Sequence, residues 1–136
     1  MRSRSIGGAL TLLATIAPSA GCADRWEPPG GEYKKVSELV RFPDFYPGLG
    51  TLYVQPRTLP LGPFRAYDRE GRLVSTIYMV PMKNLENHTM VDLVTGTPVR
   101  VDHVDMHYTN GHPGVDEPHY HVILWHVSPE RAARLQ

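Results

Sequence analysis

The sequence predicts an all-β domain, a small antiparallel barrel or sandwich of about six strands with one or two short helices. Three observations carry this expectation. Thirteen prolines and twelve glycines in 136 residues argue against a helical bundle and suit short strands joined by tight turns. Several runs alternate along the chain with the period of two that places successive side chains on opposite faces of a sheet. Between two such runs, Asp68-Arg69-Glu70-Gly71 sets glycine at the end of a four-residue connection, which is a hairpin signal. The length leaves room for one domain.

Residues 1–21 read as an export signal of the lipoprotein type. Arg2 and Arg4 give a charged start, and residues 6–16 form an apolar run too short to span a bilayer. Ser19-Ala20-Gly21 then places small residues ahead of Cys22, the only cysteine. This resembles the bacterial lipobox, in which the cysteine is lipidated and becomes the new N-terminus, although Ser19 stands where leucine is commoner. The alternative is an ordinary secretory signal cut nearby, with Cys22 an odd thiol. Either way the domain is expected outside the cytoplasm, in the periplasm or on the cell surface, with no disulfide of its own. In the lipoprotein reading its membrane partner is reached through a lipid on Cys22. Loss of Arg2 and Arg4 turns fourteen basic and fourteen acidic side chains into twelve and fourteen, so no electrostatic footprint for nucleic acid is present.

Residues 22–32 contain Pro-Pro and Gly-Gly and form a linker to a single β domain at 33–136. Val36, Leu39 and Val40 have the spacing of one helical face, and Pro43 ends that segment. Strands are expected at 51–55, 64–67 and 72–80, with a proline-rich crossing loop at 56–63. Both faces of 72–80 carry bulk, as in a central strand. Residues 81–87 suit a loop or single helical turn, 88–94 a further strand, and 95–97 its turn. Long alternating runs follow at 98–108 and 119–127. Ser128 followed by Pro129 then fits a cap and first position for a terminal helix over 130–135.

The chemistry concentrates at the C-terminal end. Six of the seven histidines lie in the 26 residues from Val101 to His126. Histidine is a common metal ligand and the usual carrier of protons near neutral pH. Strand parity puts His103, Asp105 and His107 on one face of their run, and His119 and His121 on one face of theirs. If residues 109–118 close a hairpin, His107 is expected opposite His119 and Asp105 opposite His121. Cross-strand and same-face imidazoles can then share an ion. His107, His119 and His121 are thus candidate ligands, with His112 folding back from the loop as a fourth. Asp105 and His103 are candidates for the layer behind, Asp105 as an acceptor that orients a ligand imidazole. His126 faces the other way, and His88 and the methionines read as structural. Histidine and carboxylate donors without cysteine suit zinc first, with iron, copper, manganese and nickel as alternatives.

Gly114-Val-Asp-Glu-Pro-His119-Tyr-His121 looks at first like the opening metal motif of cupins. Only ten residues follow His126, too few for a second cupin motif. A closer likeness lies in GPFRAYDREGRLVSTIYMVPM, GHPG and PHYHVILWH, within residues 45–129. These resemble an uncharacterised family of bacterial exported proteins and lipoproteins that carry Gly-His-x-Pro and then Pro-His-Phe-Asp-x-His. A thermophile member is sigma-E-regulated and homo-oligomeric. Gly111, His112, Pro118 and His119 match the motif, and Tyr120 replaces Phe. His121 stands in place of the family's Asp and Ile123 in place of its second His, a departure from the family's pattern in which His121 could take over a ligand role. The resemblance implies an all-β fold, export and homo-oligomerisation, and supplies no activity. Three functions remain in view: an envelope lipoprotein with a divalent-metal pocket, a metal-dependent hydrolase or oxidase, and a pH-responsive stress-related structural or interaction protein. No nucleophile or substrate-recognition signature supports the second.

Overall fold

The protein is described by a computed structural model over residues 31–88, 93 and 99–136. The expected signal segment, Cys22, nearly all of the linker, most of the strand expected at 88–94 and its turn lie outside the described residues.

Six strands form one antiparallel sheet: β1 (Lys34–Lys35), β2 (Thr51–Val54), β3 (Phe64–Tyr67), β4 (Leu73–Pro81), β5 (His103–Thr109) and β6 (His119–Trp125). Their order across the sheet is β1-β2-β3-β4-β6-β5. Three short helices accompany them: α1 (Val36–Leu39), α2 (Met82–Glu86) and α3 (Pro129–Ala132). The all-β class holds, as an open sandwich-like sheet whose margins among the described residues are β1 and β5.

Local chemistry accounts for the elements. Asp68 turns the β3–β4 hairpin: its Oδ1 accepts from the amides of Glu70 and Arg72 at 3.1 and 2.8 Å, and Gly71 takes φ +75°. Glycine meets that positive φ without steric cost. Every β4 residue is buried except Met79, because neighbours flank it on both sides and bulk covers both faces. The core cluster draws Val54, Phe64, Ile77, Ile123 and Trp125 from the sheet, and Val36 and Leu135 from the segments packed over it.

Two expectations shift. Leu39 is 39% exposed rather than sharing a buried face with Val36. The helix is one turn long, and Val40 is already extended at φ −140°, so helical spacing no longer governs which way its neighbours face. Among the described residues of the long alternating run, strand starts at His103; just before it, the Asp102 amide donates to the Trp125 carbonyl at 2.7 Å.

Candidate metal centre

Strands β5 and β6 pair with His107 opposite His121, Thr109 opposite His119 and Asp105 opposite Ile123. This corrects the expected register, which set His107 opposite His119 and Asp105 opposite His121. The difference is two residues. An even shift keeps every side chain on its face, so parity survives while the cross-strand partners change. β5 runs one residue past the expected end, and its pairing with β6 starts at Thr109–His119.

The connecting loop is folded on itself. His112 and Val115 exchange both backbone hydrogen bonds at 2.9 Å, forming a one-rung bridge. Gly111 enters it at φ +125°, where an added Cβ would stand 2.9 Å from the Asp116 carbonyl oxygen. Val115 is buried, and the loop's far end is held where the Met82 amide donates to the Pro118 carbonyl at 3.0 Å. The Lys83 ammonium also donates to both Glu117 carboxylate oxygens, at 2.9 and 3.2 Å. These ties aim the His112 ring back over β6.

The result is a triangle of nitrogens. The Nε2 atoms of His112, His119 and His121 lie 3.2 Å apart along all three sides. His119 is completely buried, whereas His112 and His121 are partly exposed. The other nitrogen of each ring has its own partner. His119 Nδ1 donates to the Glu117 carbonyl at 2.7 Å, and His112 Nδ1 to the Pro113 carbonyl at 3.2 Å. His121 Nδ1 lies 3.0 Å from His107 Nε2.

Those partners assign the protons. A carbonyl only accepts, so His112 and His119 carry hydrogen on Nδ1, and in the neutral ring Nε2 is then a bare lone pair. A hydrogen bond between His112 and His119 would need a second proton on one ring, making it an imidazolium; His121 could donate from Nε2 as a neutral ring only with His107 Nε2 donating to its Nδ1. At His121 the surroundings oppose that charge. Burial first, then the proximity of His107, His119 and His112, pushes its pKa from 6.5 down to about 4. Three histidines therefore stand close enough to hold a metal ion.

His107 reaches the cluster only through His121, so of the four expected ligands three converge and the fourth stands behind. Asp105 does not orient an imidazole; its carboxylate accepts from the Trp125 indole Nε1 at 2.8 Å. The two-residue register difference puts it level with Ile123 rather than His121. His103 stacks on Trp125 at 5.8 Å between ring centroids and pairs through Nδ1 with Asp102, away from the triangle. His126 lies between Thr76 Oγ1 at 2.9 Å and the Arg100 carbonyl at 3.0 Å, and burial lowers its pKa. His88 occupies an exposed turn at φ +52°. The carbonyls of Pro113 and Glu117 were not foreseeable as partners, since every residue has one and no side-chain type announces it.

Fold and site together define an all-β protein with a three-histidine cluster at the hairpin end of its sheet. Among solved structures, the chain is similar to hypothetical protein TTHB210 from Thermus thermophilus, with 52% sequence identity and a TM-score of 0.61. The match covers 68% of this chain and 91% of that one. The chain belongs to the same family as that thermophile protein. No protein-family profile and no curated protein matches it.

Proposed function

We propose that this is an envelope lipoprotein that holds a divalent metal ion on the Nε2 atoms of His112, His119 and His121. The observation that carries the reading is the triangle of Nε2 atoms with sides of 3.2 Å, in which His112 and His119 set bare lone pairs face to face. A cation at the centre removes that conflict. With metal–nitrogen bonds of about 2.05 Å, an ion on this triangle stands about 0.9 Å off its plane, with N–metal–N angles of about 103°. That is close to tetrahedral. The carbonyl partners of the His112 and His119 Nδ1 atoms are of the kind that orient ligand imidazoles and raise their basicity. Donors that are all imidazole favour zinc, with iron, copper, manganese and nickel as alternatives.

The pattern of residues 1–22 supports export and a lipid on Cys22. A second copy of the chain is the proposed partner. In support, β5 exposes Val104, Met106 and Tyr108 on one face, at 53%, 61% and 47%, and pairs with β6 alone among the described residues. A free strand margin with an apolar stripe is a ready template for another chain.

The test is elemental analysis of untagged mature protein after zinc, copper or iron has been supplied. A stoichiometric ion that disappears in His119→Ala is the expected result. Protein that stays metal-free under all three conditions sinks the proposal, and assembly that follows pH while ignoring chelators favours a pH-responsive interaction protein instead.

A further inference from the structure

The triangle supplies three positions of a four-coordinate ion, and we infer that the fourth is reserved for an exogenous ligand, a small anion or water bound directly to the metal. This rests on the metal reading above and adds to it a ligand class.

Geometry gives the fourth position a direction. Angles of about 103° between three nitrogens leave one remaining tetrahedral vertex, on the normal to their plane. The neighbouring side chains that could fill it are committed elsewhere. His107 Nε2 is engaged with His121 Nδ1 at 3.0 Å. The Glu117 carboxylate is bound to Lys83, and that of Asp105 to Trp125. Thr109 Oγ1 is engaged with Gly111. Among the described residues no fourth histidine, cysteine or carboxylate joins the group.

Charge gives the ligand its class. Three neutral imidazoles leave the full double charge of the ion uncompensated, and an anion is the ligand that offsets it. His112 and His121 are partly exposed, so the cluster is open to solvent, whereas His119 is buried. Structural zinc sites complete their coordination with protein atoms; sites with three protein ligands take water or substrate in the fourth place. Water bound there is acidified by the ion and becomes a nucleophile. The position is thus suited to hydroxide and to other small anions.

Cobalt(II) reports on this directly, because its visible bands change with a change of ligand. The full mature chain is loaded with cobalt, and sodium azide is then titrated in. The expected result is stoichiometric cobalt whose bands shift along a single saturable isotherm. Bands that azide never moves overturn the inference while leaving the metal reading intact; failure to bind cobalt at all counts against the metal reading itself. His107→Ala, measured with enough cobalt to fill the site, closes the remaining route. The azide response should persist there. A response that appears only in His107→Ala would mean that His107 swings in to occupy the fourth position, and would also overturn the inference.

Discussion

His121 uses both of its ring nitrogens. Nε2 faces the other two members of the triangle, and Nδ1 faces His107 across the β5–β6 pair. For His121 to offer a bare Nε2 to the proposed ion it must carry hydrogen on Nδ1, which makes His107 Nε2 the acceptor and His107 a positioning residue in that reading. Removing such a partner from a metal ligand costs about 10–100-fold in affinity. We therefore expect His107→Ala to weaken zinc binding by that factor, read by competition against a chromogenic chelator, while metal-free melting and the stoichiometry at saturation stay as in the parent. Unchanged affinity would assign His107 to solvent. The depressed pKa of His121 serves the same end, since a ring that resists protonation keeps its lone pair for the ion.

At the scale of elements, the β3–β4 hairpin hangs on one carboxylate. Asp68 accepts two turn amides through Oδ1 and the Arg131 guanidinium through Oδ2 at 2.8 Å, tying the turn to α3. Burial alone would raise its pKa, but the Arg72 amide and then the Arg131 contact more than offset this, and the value lies below the ordinary 3.8. The sign follows from linkage. A carboxyl more acidic in the folded state contributes stability above its unfolded pKa and loses it as pH falls through the folded value. Denaturant titrations should therefore show that Asp68→Asn lowers stability at pH 7, by about 1–3 kcal/mol for hydrogen bonds to a charged group, and that the difference shrinks below the unfolded pKa of 3.8. A constant difference down to pH 2 would remove the charge from the explanation. This hairpin was legible in the sequence because turn chemistry is local, and β4 because its bulk lies on both faces. The rung on which His107 sits was not legible. It depends on how residues 110–118 fold, and that is set by a bridge between His112 and Val115 and by the tie of Pro118 to Met82, both made by backbone atoms. Parity named the correct face; choosing among the five histidines on it and its loop needed the register.

For the whole molecule, the sheet order places the cluster and the exposed apolar stripe on the same last strand pair, with the stripe on the opposite face. Self-association through β5 would therefore bury Val104, Met106 and Tyr108 without covering the triangle. Met106→Glu sets a charge in the middle of the stripe and should shift the protein to smaller species in sedimentation while leaving zinc stoichiometry unchanged. The same sedimentation profile in variant and parent would locate any assembly elsewhere.

The distance across the sheet from β5 to β1 has a dynamic consequence. An ion bound only by the folded cluster raises the free energy of every opening that releases it, by about 2.7 kcal/mol at a hundredfold excess over its dissociation constant. Fraying of β1 from β2 leaves the coordination intact and gains nothing. Backbone amides should then divide on metal addition: those of β5 and β6 exchange their hydrogens more slowly, and those that exchange through fraying at β1 keep their rate. Occupancy of a three-nitrogen site would be written as a gradient of protection from one margin of the sheet to the other.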